Sequence, residues 1–290
     1  MTNDQGPIVQ SALLRAELVR LRKEKGMTQE QVVRKLEWSP SKLIRVEGGK
    51  NSITRVDLQA LLSIYGVTSE SRQERLQALA RGAREPAWWN AYRGEFDDSF
   101  LTFVGYAAGA AFIRHFHGTV VPGLLQTAEY AQVLSTGMVS PQQQAFGVKL
   151  RLQRQKELAK RENPPRQYYI IDEAVVRRHV GIKVDPAIMP NQLRHIADTV
   201  EQSDSLTVRV IPFSVGAHLG IHGPFTVLEF EGGLNDVLYL EGRPGANILI
   251  TGDDERTAEY RDSFEILLDE ALPAEESLAL IRQAAEDLMA

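Results

Sequence analysis

The chain has 290 residues, enough for two domains with cores of their own, and carries 33 Lys and Arg against 38 Asp and Glu, a net charge of −5. It contains no cysteine, which excludes disulfides and thiolate metal sites. No apolar run approaches the roughly 20 residues of a membrane span, and Met1 to Ile8 lacks the basic-then-apolar pattern of a signal peptide, so a soluble, cytoplasmic protein is expected.

The net charge hides a division. Up to Arg84 the chain holds 15 Lys and Arg against 9 Asp and Glu, a balance of +6, whereas the remainder holds 18 against 29, a balance of −11. The basic end is the candidate nucleic-acid surface, and the acidic remainder would repel DNA.

Leu14, Leu18, Leu21 and Arg22 fall on one helix that ends at Lys25-Gly26, with Gly26 suited to a left-handed cap. A second helix starts at Thr28, where Gln31 completes a capping box and Val32, Val33 and Leu36 supply an apolar face. Glu37-Trp38 reads as a turn. Ser39 then caps a third helix that has Pro40 at its first position and Leu43 and Val46 facing inward. After the Gly48-Gly49-Lys50-Asn51 loop, a helix from about Thr54 points Leu58, Leu61, Leu62 and Ile64 inward and stops at Gly66. Helix, tight turn and helix in this order is the arrangement that lays one helix in the DNA major groove.

From Leu21-Arg22-Lys23 through Gly26-Met27-Thr28-Gln29-Glu30-Gln31 to Ser39-Pro40-Ser41-Lys42-Leu43-Ile44-Arg45-Val46-Glu47-Gly48-Gly49-Lys50, the sequence resembles the Cro/lambda-repressor (XRE) family of helix-turn-helix regulators without a gap. The resemblance implies that Gln29 touches a phosphate and that Pro40, Ser41, Lys42 and Arg45 occupy the base-reading positions. It also implies that Lys50 and Asn51 grip the DNA backbone and that Glu47 serves the fold. Chemistry agrees on two points. Arg and Lys donate to guanine O6 and N7, and hydroxyls at a helix N-terminus, here Ser39 and Ser41, suit phosphate oxygens. Pro40 cannot make a polar base contact, so direct readout is expected to lean on Lys42 and Arg45, assisted by DNA shape.

Ser69 to Arg84 reads as a charged helix with Leu76 and Leu79 on one side, broken at Glu85-Pro86. Trp88-Trp89-Asn90-Ala91-Tyr92 opens the larger domain. There, Phe103 to His115 and Leu124 to Leu134 read as helices, followed by a long amphipathic helix from Gln142 to Glu162 that carries Leu150, Arg151, Gln153, Arg154 and Lys156. A strand at Gln167 to Ile171 precedes a helix from Asp172 and another over about Asp185 to Glu201. Strands follow at Leu206 to Ile211, Gly223 to Glu229, Val237 to Glu241 and Asn247 to Ile250, and helices over about Asp253 to Leu272 and Ala274 to Met289 close the chain. Val208 and Val210, like Phe225 and Val227, alternate as half-buried antiparallel strands do.

Val121-Pro122-Gly123-Leu124-Leu125-Gln126-Thr127-Ala128-Glu129-Tyr130-Ala131 is similar to the hallmark of a domain common in actinomycete XRE-type regulators. Arg151 to Gln155, Ile211-Pro212-Phe213, Gly216-Ala217-His218, Gly223-Pro224-Phe225 and Tyr239-Leu240-Glu241 match its later landmarks in order. The resemblance implies an antitoxin-like regulator of the Scr type, with a C-terminal domain that receives a signal or binds a small protein encoded beside it. Around Tyr106-Ala107-Ala108 that family tends to carry an acidic residue where this chain has alanine.

Catalytic and metal chemistry find little support. His218 and His222 are four apart, but Gly216 and Gly220 make the segment a loop rather than a helix face. No phosphate-binding loop or dinucleotide fingerprint is present. His115 and His117 flank Phe116 with no nucleophile identifiable beside them. Asp253-Asp254-Glu255 reads as acids at a helix N-terminus.

The expected architecture is therefore an all-α helix-turn-helix domain over residues 1–68, a helical linker over 69–85, and an α+β domain over 86–290 with a small, mainly antiparallel sheet. The expected function is a non-enzymatic, sequence-specific transcription regulator, dimeric on double-stranded DNA and without cofactor or metal. Its second domain answers a small protein partner or ligand at Trp88, Trp89, Pro122, Leu125, Gln126, Tyr130 or His218. The alternatives are an antitoxin-like protein whose main act is to mask its partner, and a repressor that senses a metabolite.

Overall fold

The computed structural model describes residues 5–49, 52–242 and 246–289, which divide into one unit up to Asn90 together with Glu231–Leu234 and a second unit formed by the rest.

In the first unit the helices are α1 (Gly6–Glu24), α2 (Gln29–Leu36), α3 (Pro40–Glu47), α4 (Arg55–Tyr65) and α5 (Glu70–Gly82). Leu14, Leu18 and Leu21 of α1 are buried as their spacing requires, and Gly26 takes the left-handed φ of +67° that releases the chain into α2. Along α4 the buried set is Leu58, Leu61, Leu62 and Tyr65, while Ile64 is half-buried. The helix expected as a linker packs along α1 and completes this unit. Its Leu76, Leu79 and Ala80 form a buried stripe, which an isolated linker would leave in water. Arg72 reinforces the packing with an ion pair to Glu17 at 2.7 Å.

In the second unit a six-stranded sheet runs in the order β3-β2-β1-β4-β5-β6. The strands are β1 (Phe112–His117), β2 (Arg166–Asp172), β3 (Leu206–Ile211), β4 (Phe225–Glu229), β5 (Val237–Leu240) and β6 (Ile248–Ile250). The helices are α6 (Asp98–Ala107), α7 (Ala128–Ser135), α8 (Pro141–Ala159), α9 (Glu173–Arg177), α10 (Ile188–Glu201), α11 (Glu255–Glu270) and α12 (Ala274–Asp287). The unit is α+β, and the sheet is mixed. β1 pairs antiparallel with β4, as do β4 with β5 and β5 with β6, whereas β1–β2 and β2–β3 are parallel. The parallel pairs follow from their connections: helices lie between β1 and β2 and between β2 and β3, and such crossovers bring the chain back in the same direction.

The central strand β1 corrects the sequence reading, in which Phe103 to His115 formed one helix. The helix ends at Ala107, and Phe112–His117 is extended. The apolar run from Phe103 to Ala111 leads into Phe112 and Ile113 without a proline or a strong turn signal, so the strand merges in the sequence with the helix before it. Its alternation sorts the sheet. Phe116, with its register partners Ile170 and Phe225, faces α11 and packs with Phe264 and Leu267. On the opposite face, Tyr169 and Ile171 of β2 pack with Val208 and Val210 of β3 beneath α10 and α12. Leu124 to Leu134 is likewise divided: a short 3₁₀ turn at Gly123–Leu125 precedes α7, which Thr127 caps through Tyr130 N at 3.2 Å.

Gly220 sits where the turn at Leu219–His222 crosses the fully buried Phe116, and a Cβ there would lie 2.1 Å from Phe116 Cζ. Gly220→Ala is expected to destabilise the chain by about 1–3 kcal/mol through overpacking. An unchanged urea midpoint would show that Phe116 can move aside.

Candidate functional site

The turn between α2 and α3 is built by local chemistry and then locked from outside. Thr28 Oγ1 accepts from Gln31 N at 3.2 Å, and Thr28 N donates to Gln31 Oε1 at 2.9 Å, which closes the capping box. The turn passes through Glu37, a non-glycine residue held left-handed at φ 54°. Ser39 sits at the N-cap of α3 with Pro40 behind it, and its hydroxyl meets that of Ser41 at 3.2 Å instead of capping the backbone.

Glu47, at the end of α3, accepts from Arg22 Nε at 2.7 Å and Arg22 Nη2 at 2.9 Å, a two-pronged pair whose side chains are only 13% and 6% exposed. Arg22 also donates to Met27 O at 3.0 Å, and Gln29 Nε2 donates to Glu47 at 2.7 Å. One carboxylate thereby fixes α1, α2 and α3. The hydrogen-bonded Glu47 holds the Arg22 pKa above its ordinary value. Of the Gln29 amide, one N–H remains for another acceptor. Arg15 Nη1 donates to Gly48 O at 3.2 Å and steadies the end of α3.

Of the positions expected to meet bases, Pro40, Ser41 and Arg45 are exposed, and Arg45 makes no side-chain hydrogen bond or ion pair among the described residues. Lys42 is differently placed: its Nζ donates to Asp57 Oδ1 at 2.6 Å and lies 4.0 Å from the centre of the Trp38 ring. Burial pushes the Asp57 pKa up, but Lys42 and Thr54 outweigh that and hold it below the ordinary value. Lys50 and Asn51 lie outside the described residues. The sequence reading missed Ile44, which is 55% exposed between Pro40 and Arg45 on the same face. The signal was available, since Ile44 is out of phase with the buried Leu43 and Val46.

The residues expected to take a partner or ligand scatter. Trp89 is buried and Trp88 meets it edge-on at 5.5 Å, both within the first unit. Leu125 and Tyr130 belong to the core beside α10, and the Tyr130 hydroxyl accepts from Val121 N at 3.1 Å. His218 Nδ1 accepts from Gly220 N at 3.2 Å, which leaves Nε2 to donate to Asp172 Oδ2 at 3.0 Å. Pro122 and Gln126 line a cavity of about 490 Å³ inside the second unit.

Sheet register builds one wall of that cavity. His115 of β1 stands beside Tyr169 of β2 and Thr226 of β4, and Thr226 beside Tyr239 of β5. Phe100 and Phe103 of α6 add rings, with Phe103 stacked on Tyr239 at 4.1 Å, and α8 contributes Arg151 and Arg154. Glu241 follows β5. His117 Nδ1 accepts backbone N–H groups from Thr119 and Val120 at 3.2 and 3.3 Å, so the neutral ring carries its proton on Nε2, 3.8 Å from Glu241. Burial depresses the His117 pKa to about 4 and takes that of His115 well below its ordinary value.

A family model described as a domain of unknown function (DUF5753) matches residues 100–283, and a helix-turn-helix domain model matches residues 13–76. The chain belongs to the DUF5753 family. Its first unit is a helix-turn-helix domain whose matched stretch reaches into α5, and the DUF5753 match takes in both cavity arginines, both histidines and Glu241. No curated protein and no solved structure matches the chain.

Two expectations follow for the resting protein. Glu47→Ala leaves Arg22 withdrawn from water without its main acceptor and is expected to cost the helix-turn-helix domain about 3–5 kcal/mol, whereas Arg22→Met with Glu47→Leu should recover most of it. Circular dichroism during urea denaturation reads both, and a harmless Glu47→Ala would remove the lock from the account. In the DUF5753 unit, the unfolded chain takes up histidine protons below pH 6.5 while the folded chain resists until about pH 4 at His117. Stability is therefore full above pH 6.5 and falls as the pH drops, by up to about 1.4 kcal/mol per pH unit for each such histidine. His117→Asn, which can still accept the backbone N–H groups, should flatten that slope, and an unaltered slope would acquit His117.

Proposed function

We propose that the chain is a sequence-specific DNA-binding transcription regulator of the cytoplasm that reads the major groove with α3. The observation that carries this reading is the exposed face of α3, where Arg45, unpaired among the described residues, stands beside Ile44 on a helix that Glu47 holds to α1 and α2. Arg45 has the donors for guanine O6 and N7, and Ile44 offers an apolar surface to a thymine methyl group. Serine hydroxyls at the N-terminus of α3 and the remaining Gln29 N–H suit phosphates. One such helix reads too few bases to discriminate well. The protein therefore acts as a homodimer with two recognition helices about 34–36 Å apart, one turn of duplex. The second unit acts by binding rather than by catalysis, and its occupancy by a ligand or small protein partner sets DNA affinity.

The test is fluorescence anisotropy of the full chain against its own upstream DNA and a scrambled duplex at two salt concentrations. Preferential binding with a steep salt slope is expected. Arg45→Ala should cost roughly 1–3 kcal/mol on the preferred site and little on scrambled DNA. Ile44→Ser should relax a preference for thymine at one position. Equal binding to both duplexes would overturn the reading.

A further inference from the structure

Arg154 of α8 is a buried cation in the wall of the DUF5753 cavity. It is 9% exposed and lines the 490 Å³ cavity, yet its guanidinium makes no hydrogen bond or ion pair with any described residue. Its near neighbours are the rings of Phe103 and Phe100, centred 5.4 and 5.8 Å away. Arg151, one turn earlier on α8, is also without a hydrogen bond or ion pair among the described residues, and Gly147 leaves room for it, since a Cβ there would come within 3.1 Å of Arg151 Nη1. Glu241 is near enough to act on both arginines through space but joins neither. Two guanidiniums that converge on one cavity with no acceptor among the described residues mark a place for an anion.

We infer that this cavity binds a small organic monocarboxylate with an apolar body, its carboxylate held by Arg154 and Arg151 and its body lying among Phe96, Phe100, Phe103 and Val121. Three observations narrow the class. With both histidines neutral, the cations of the wall are Arg151 and Arg154, and Glu241 beside them repels a dianion such as phosphate. A planar guanidinium matches the two oxygens of a carboxylate. The volume falls in the range of about 300–1,000 Å³ typical of small-molecule sites, and the rings of α6 and β5 give the wall an apolar part beside the charge. Two further carboxylates, Glu95 and Asp97, line the wall before α6, and Asp97 is already engaged by Phe100 N at 2.8 Å and Asn247 Nδ2 at 3.3 Å. Binding is independent of DNA; only its coupling to operator affinity rests on the function proposed above.

Calorimetry of the full chain without DNA tests the binding. Octanoate and phenylbutyrate are titrated beside their primary amides and inorganic phosphate. At least one carboxylate should bind about tenfold or more tightly than its amide and than phosphate, and Arg154→Gln should weaken it by about tenfold or more. Arg154→Gln gives up the ring contacts with Phe103 and Phe100, so a modest fall in Tm with a cooperative melt is expected. Failure of both carboxylates to bind, equal binding of acid and amide, equal binding of phosphate, or undiminished binding by Arg154→Gln would each overturn the inference.

Discussion

A guanidinium taken out of water must find acceptors, and the two units meet that demand in opposite ways. In the helix-turn-helix domain Arg22 is satisfied from within, by both oxygens of Glu47 and by the Met27 carbonyl. The same carboxylate also holds Gln29, so the angle between α2 and α3 is fixed before any DNA arrives. In the DUF5753 unit Arg154 and Arg151 are brought to an aromatic cavity and left without acceptors among the described residues. A filled arginine makes a rigid element, and an unfilled one makes a receptive site.

Much of the first unit was legible because its determinants are local. A capping box needs only Thr28 and Gln31, a left-handed exit needs only Gly26, and the buried faces of α1 and α3 follow the helical repeat. The role of Lys42 was less legible because its acceptor, Asp57, belongs to another helix and meets it only in the folded chain. The second unit shows the same limit more strongly. Its later strands stand out through alternation, but β1 lies at the centre of the sheet and merges in the sequence with the helix before it. The cavity inherits that difficulty. His115 and His117 come from the hidden strand, Arg151 and Arg154 from α8, and Glu241 from the end of β5, so no single segment carries the pattern.

The division of charge complements this arrangement. The acidic balance after Arg84 keeps a polyanion away from the DUF5753 surface and leaves the basic helix-turn-helix domain as the electrostatically favoured end. Buried positive charge inside an otherwise acidic unit is selective on a smaller scale: only an anion compact enough to enter can reach it. Lys42, held between Asp57 and Trp38, must exchange those neighbours before it can meet a phosphate or a base.

The position of β1 also sets an order of assembly. Its neighbours in the sheet are β2, at Arg166–Asp172, and β4, at Phe225–Glu229. The sheet therefore cannot close until most of the chain has left the ribosome, whereas α1 to α4 are complete by Tyr65. Domains made first fold first during synthesis, and long-range pairing of this kind is slow. A nascent chain thus carries the helices of the first unit for some time before the sheet of the second has formed. During that interval Phe112, Ile113 and Phe116 lack their strand neighbours, and the apolar surface of β1 is left to water.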